Sequence, residues 1–306
     1  MTLSRRTLLR AGAVSGAAAL AGCTTLLGGG RRAASFDDWL YEPGTVADTD
    51  HYLALRYTPS VIAERASSFD DTVYDVLQAF GSDSRDLVGV GFAQTDAELV
   101  FGKNSVLTAD FEASDVEATL KDDDFVAEGT YKEFDVFLGP NENTAVGIGG
   151  AAIVVARSSG IFGGGVRAER IFQAIIDAQA GDTERYVDDS DDFATLIEEL
   201  GDGNLQSART HEETDSTDTD EGRFTGEVAR GITSSLVDEG IETTFVLVFN
   251  EASDIDSGDI EDWIAANDSD GTFANFESVE VSTSGRTALV TGTEPTRAYD
   301  FYLESF

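Results

Sequence analysis

The chain has 306 residues, with 58 acidic against 20 basic side chains, a formal net charge of −38 and a single cysteine. This balance excludes binding to nucleic acid through its phosphates, because no basic stripe exists to displace counterions. One thiol excludes disulfides within the chain and Cys-based metal clusters, while 41% apolar residues suffice for a real core in one or two domains.

The chain opens Met1-Thr2-Leu3-Ser4-Arg5-Arg6-Thr7-Leu8-Leu9-Arg10, followed by a mildly apolar, Ala- and Gly-rich stretch from Ala11 to Ala21. This is the basic and short apolar pattern of an export signal. It is too short for a spanning helix, which needs roughly 20 apolar residues. The order Ser4-Arg5-Arg6-Thr7-Leu8-Leu9 resembles a twin-arginine signal, and Leu20-Ala21-Gly22-Cys23 resembles a lipobox. The resemblance implies passage through the twin-arginine translocase, cleavage before Cys23 and a lipid on its thiol. The protein would then sit on the outer face of the cell membrane; the alternative for Cys23 is a plain unmodified residue. A single acyl chain holds a membrane only marginally, so firm anchoring takes two chains or a second contact. Residues 1–22 are thus expected to be the signal peptide, and residues 23–48 a lipidated flexible tether containing Gly28-Gly29-Gly30.

Removal of the signal takes Arg5, Arg6 and Arg10 with it, leaving 17 basic and 58 acidic residues and a net charge of −41. Such self-repulsion is long-ranged in dilute buffer and is screened in molar salt, where the Debye length is about 3 Å. The composition resembles that of haloarchaeal proteins. Together with the signal, the chain resembles the twin-arginine-exported lipoproteins of haloarchaea, a resemblance carried by the first 23 residues and implying no particular activity.

Two α+β modules are expected, at 49–201 and 202–306, each an antiparallel sheet with helices packed on one face and a ferredoxin-like arrangement as one option. His51–Tyr57 and Asn204–Thr210 are the candidate opening strands. Ser105–Phe111 and Thr244–Asn250 are strand-like runs, followed by Glu112-Ala113-Ser114-Asp115 and its recurrence Glu251-Ala252-Ser253-Asp254. Short helices are expected over Asp115–Leu120 and Asp259–Ile264, with Ser114 and Ser257 near their starts. Hairpins follow in both: Phe134–Leu138 leads through Gly139–Asn143 to Thr144-Ala145-Val146, and Val279–Val281 leads through Ser282–Arg286 to Thr287-Ala288-Leu289. The glycines of Gly147–Ile153 suggest close packing in a buried strand. Helical spacing predicts a helix over Ala168–Ala180, with Ile171, Phe172, Ile175 and Ile176 inward. A second is predicted over Asp192–Leu200, stopped by Gly201.

No catalytic, cofactor-binding or metal-ligating set stands out. His211 is followed by Glu212-Glu213-Thr214-Asp215, which is not His-Glu-x-x-His, and Gly163-Gly164-Gly165 lacks the Lys-Ser/Thr ending of a P-loop. The acidic runs at 122–124, 188–192, 215–221 and 267–271 do not fit an EF-hand loop and read as solvated faces. The leading expectation is a non-enzymatic lipoprotein with a structural or partner-binding role. A solute-binding lipoprotein of a transporter is the alternative, favoured by an aromatic cleft between the modules lined by Trp263 or tyrosines. A hydrolase without a familiar motif is the third reading, favoured by His51 or His211 beside a serine and a carboxylate in a cleft.

Overall fold

The apolar run Phe245-Val246-Leu247-Val248-Phe249 has no polar alternation, so both faces of its strand need cover. The computed structural model, which describes residues 34–46, 51, 53–158, 165–238 and 240–299, places this strand inside one antiparallel sheet with helices on both sides. In chain order the strands are β1 (Leu53–Tyr57), β2 (Thr95–Phe101), β3 (Asn104–Ala109), β4 (Val126–Tyr131), β5 (Phe134–Leu138), β6 (Thr144–Ile148) and β7 (Ile153–Arg157). Then come β8 (Leu205–Thr210), β9 (Glu227–Val237), β10 (Gly240–Phe249), β11 (Ser278–Ser284) and β12 (Thr287–Glu294). Their spatial order is β11-β12-β10-β9-β8-β1-β2-β3-β7-β6-β5-β4.

The fold is therefore α+β, with one large antiparallel sheet and packed helices. The expected division at residue 201 falls on a continuous ladder, because β1 pairs β8 with Arg56 opposite Gln206. A ferredoxin-like unit interleaves its strands through split βαβ crossovers, whereas here β1, β2 and β3 lie side by side in chain order and β4 to β7 form a meander that ends beside β3, with every ladder antiparallel.

The helices are α1 (Phe36–Trp39), α2 (Pro59–Glu64), α3 (Asp71–Ala79), α4 (Ser82–Val88), α5 (Ala113–Asp122), α6 (Ala168–Ala180), α7 (Tyr186–Asp189), α8 (Asp191–Leu200) and α9 (Ser257–Ala266). On one face, Ile171, Phe172 and Ile175 of α6 and Phe193 and Leu196 of α8 pack with Val106, Val154, Val246 and Val248 of the sheet. On the other, Leu77 of α3 and Ile260 and Trp263 of α9 pack with Tyr57, Phe245 and Leu247, while Val116 and Leu120 of α5 meet Leu107, Val146 and Val155. This corrects the expectation of helices on one face. A helical stripe shows that one side of a helix is buried, not which side of the sheet buries it.

The tether also ends earlier than expected. Ala34, Phe36, Trp39, Leu40 and Tyr41 are buried in the first of these cores. The Ala34 carbonyl accepts from Arg56 Nε at 2.8 Å, and Leu40 O accepts from Tyr186 N at 2.9 Å. Five apolar side chains inside a supposed linker gain too much by burial to stay in water.

Gly147–Ile153 is a β6–β7 hairpin rather than one strand, with Ile148 opposite Ile153. Close packing holds for two of its three glycines: a Cβ on Gly147 would overlap the Phe172 ring and one on Gly149 the Phe134 ring, whereas Gly150 is exposed with open space around it. Ser114 and Ser257 do lie at the helix starts, as the second residue of α5 and the first of α9, but neither is the cap. Asp256 caps α9 by accepting from Gly258 N at 2.9 Å.

Candidate functional site

The antiparallel register of β8, β9 and β10 lines up Arg209, Arg230 and Leu247 in one row across the sheet, and Ser207, Ile232 and Phe245 in the next. Two guanidinium groups thus stand directly opposite each other, an arrangement that costs stability unless negative charge lies between or beside them. Glu227, fully buried at the start of β9, supplies part of that charge. It forms an ion pair with Arg230 through both carboxylate oxygens, and Arg230 Nη2 also donates to Gly222 O at 2.7 Å.

His211 Nε2 lies 3.2 Å from Glu227 Oε1, and its Nδ1 lies 2.8 Å from Glu212 O. Burial raises the Glu227 pKa, but the His211 hydrogen bond and the Arg230 charge outweigh it and hold the carboxyl below its ordinary value. Arg209 is treated differently. Its Nε is buried with no hydrogen-bond partner, and burial together with the nearby Arg230 charge lowers its pKa, offset in part by Glu227.

Above this floor lies a cavity of about 390 Å³, lined by the three arginines 209, 223 and 230, by Phe245, Leu247 and Trp263, and at the mouth by Asp220 and Glu221. The volume is within the range of small-molecule sites, roughly 300–1,000 Å³. The aromatic wall is fixed by edge-to-face packing: Trp263 to Phe273 at 4.8 Å, Trp263 to Phe245 at 5.7 Å and Trp263 to Phe224 at 5.8 Å between ring centres. The loop between β8 and β9 forms the rim. Its Gly222, at φ 64°, leaves no room for a Cβ beside Trp263 Nε1. Arg223 is tied at the surface to Glu221 at 2.9 Å and Asp218 at 3.2 Å.

A second polar cluster lies on the same face of the sheet near its middle. Tyr57, Arg85 and Glu98 are mutually hydrogen-bonded and each at most 2% exposed. Arg85 Nη2 donates to Gln78 O at 2.6 Å and Phe80 O at 2.8 Å, fixing the α3–α4 corner. Burial raises the Glu98 carboxyl to about 6 against the pull of Tyr57 and Arg85, and Glu98 Oε1 has no hydrogen-bond partner. With every member sealed in the core, this cluster is a buried structural network.

Arg5, Arg6 and Cys23, and Gly163-Gly164, lie outside the described residues. Trp263 does line a cavity, but one within the second half of the chain rather than between two modules. His51 Nδ1 meets Thr210 Oγ1 at 2.9 Å, while His211 meets the Glu227 carboxylate. Among the described residues there is no group of three or more His, Cys, Asp or Glu side chains placed to hold a metal ion, and no helix long and apolar enough to cross a membrane. The acidic runs are partly engaged: Asp192 pairs with Arg286, and Asp218 with Arg223.

No family model and no curated protein matches the chain. Among solved structures, crystal form III of TP0453 is similar over 84% of this chain and 95% of that one, with a TM-score of 0.46 and 11% identity. Crystal form IV of TP0453 is similar over 86% and 94%, with a TM-score of 0.44 and 12% identity. This distant likeness carries no activity with it.

Proposed function

We propose that the chain is a lipid-anchored extracytoplasmic protein of a halophile, exported through the twin-arginine translocase, whose folded part acts by binding rather than by catalysis. The address rests on Arg5, Arg6 and the Leu20–Cys23 lipobox. The packed residues begin at Ala34, close behind Cys23 in sequence. Between a partner-binding and a solute-binding role, the cavity beside Trp263 favours the solute: it is concave, has a rigid aromatic wall and converges a few polar groups on one point. Delivery of that solute to a transporter is the role that fits an anchored binding domain.

We further propose that the two halves descend from one duplicated unit. The Glu-Ala-Ser-Asp match follows β3 in one half and β10 in the other. Each half runs as three consecutive paired strands, a helix and a meander whose last strand returns to the third, β7 beside β3 and β12 beside β10. The two opening strands, β1 and β8, pair antiparallel at the centre.

Thermal unfolding in molar salt, with sugars, amino acids, peptides, organic acids and metal ions added one class at a time, tests the binding role. A ligand at a hundred times its dissociation constant should add about 2.7 kcal/mol. Stabilisation by one class is expected; none from any class would return the partner-binding role to first place.

A further inference from the structure

The geometry points to the cavity above β8–β10 as a receptor for a small organic carboxylate with an apolar or aromatic body, with Arg209 as its anchor. This rests on the solute-binding reading and gives it a ligand class. The first argument is charge. In a chain with 20 basic residues against 58 acidic ones, three arginines face one cavity. In its floor, Arg209 and Arg230 stand opposite each other beside the single buried carboxylate Glu227.

The second argument is hydrogen bonding. Arg230 is committed to Glu227 and to Gly222 O, and Arg223 to Asp218 and Glu221. Arg209 Nε is buried and has no hydrogen-bond partner among the described residues, so the guanidinium is not committed as the other two are. Arg209 lines the cavity, and its guanidinium fork suits the two oxygens of a carboxylate. Asp220 and Glu221, which also line the cavity, disfavour ions of higher negative charge more than a monoanion. The third argument is the wall. Phe245, Leu247 and Trp263 offer apolar surface that an inorganic anion cannot use and an aromatic or aliphatic body can.

The test is equilibrium dialysis of the mature protein in molar salt with phenylacetate, with its neutral isostere phenylacetamide, and with sulfate as competitor. Phenylacetate is expected to bind saturably and one-to-one, at least tenfold more tightly than the amide, and sulfate is expected not to displace it at equal concentration. Arg209→Gln is expected to weaken phenylacetate at least tenfold while keeping the thermal midpoint, since it removes a like-charge neighbour of Arg230. Should that variant misfold, Trp263→Ala reports on the wall and Arg223→Gln on the mouth, the former expected to weaken binding more. Equal binding of the amide, unchanged binding by Arg209→Gln or full displacement by sulfate would overturn the carboxylate assignment and leave solute binding standing. No binding of phenylacetate would overturn the assignment as well; only silence across the wider unfolding panel removes the solute-binding role.

Discussion

Glu98 and Glu227 are both sealed from water, yet their neighbours send them in opposite directions. For Glu98 burial dominates, and the folded state holds its proton up to about pH 6, above the ordinary 4.5. Below 4.5 both folded and unfolded chains are protonated there. Between 4.5 and about 6 the unfolded chain releases the proton first, so this group's contribution to stability is lost as pH rises. The loss is on the order of 2 kcal/mol. For Glu227 the order is reversed: its contribution is present above the unfolded value and is lost as pH falls through the lowered folded value. Denaturant unfolding from about pH 2 to 7 should therefore show a less negative slope for Glu98→Gln between 4.5 and about 6. Glu227→Gln should instead lose acid sensitivity at the low end. Identical profiles for both variants would contradict these assignments. The pairings behind them were not legible in sequence. Arg209 and Arg230 become neighbours only through the β8–β9 register, and no local motif records a cross-strand register. Trp263 was legible as a candidate for lining a cleft because a large aromatic on a short polar helix needs a use. His211 was set aside because its partner, Glu227, lies beyond a loop rather than one turn away on a helix.

The helices α6 and α8 were legible because their apolar residues recur at helical spacing and their ends carry recognisable stops. The observed bounds, Ala168–Ala180 and Asp191–Leu200, follow the predicted ones closely. The N-terminus of α8 depends on Ser190, whose Oγ accepts from Phe193 N at 3.2 Å. Ser190→Ala should cost about 1 kcal/mol, measured by chemical unfolding; no loss would mean that solvent caps this end equally well. At the α6–β6 contact the constraint is space. Gly147→Ala should cost roughly 1–3 kcal/mol through overpacking against Phe172, and relief by Phe172→Leu would identify the clash. The cover of the sheet was harder to read. The uninterrupted apolar run of β10 carried the two-sided signal, answered on the Tyr57 face by Trp263 of α9, while α2 to α4 on that same face are short, with few residues buried. The segment from Ala34 to Tyr41 was hidden by its position. Its neighbours upstream are glycines and arginines, so the tether was extended over residues that belong to the core.

For the whole molecule, the net charge of −38 makes like-charge repulsion a force that salt should screen. Raising salt from about 0.1 M to the molar range shortens the Debye length from about 10 Å to about 3 Å. The thermal midpoint should rise steeply over that range with sodium or potassium chloride alike; a midpoint independent of salt would contradict the halophilic reading. The same charge protects the sheet ends. β4 and β11 are exposed edge strands carrying Glu128 and Glu280, and β4 is further distorted by an irregular register near Gly129. Both features discourage edge-to-edge pairing. The proposed binding role outside the cell depends on the lipid anchor at Cys23. The intact mass of the native protein from the membrane fraction tests it most directly. A polypeptide beginning at Cys23 and heavier than its sequence by the mass of a lipid is the expected result. A chain still carrying Met1–Gly22, or one with an unmodified Cys23, would contradict it.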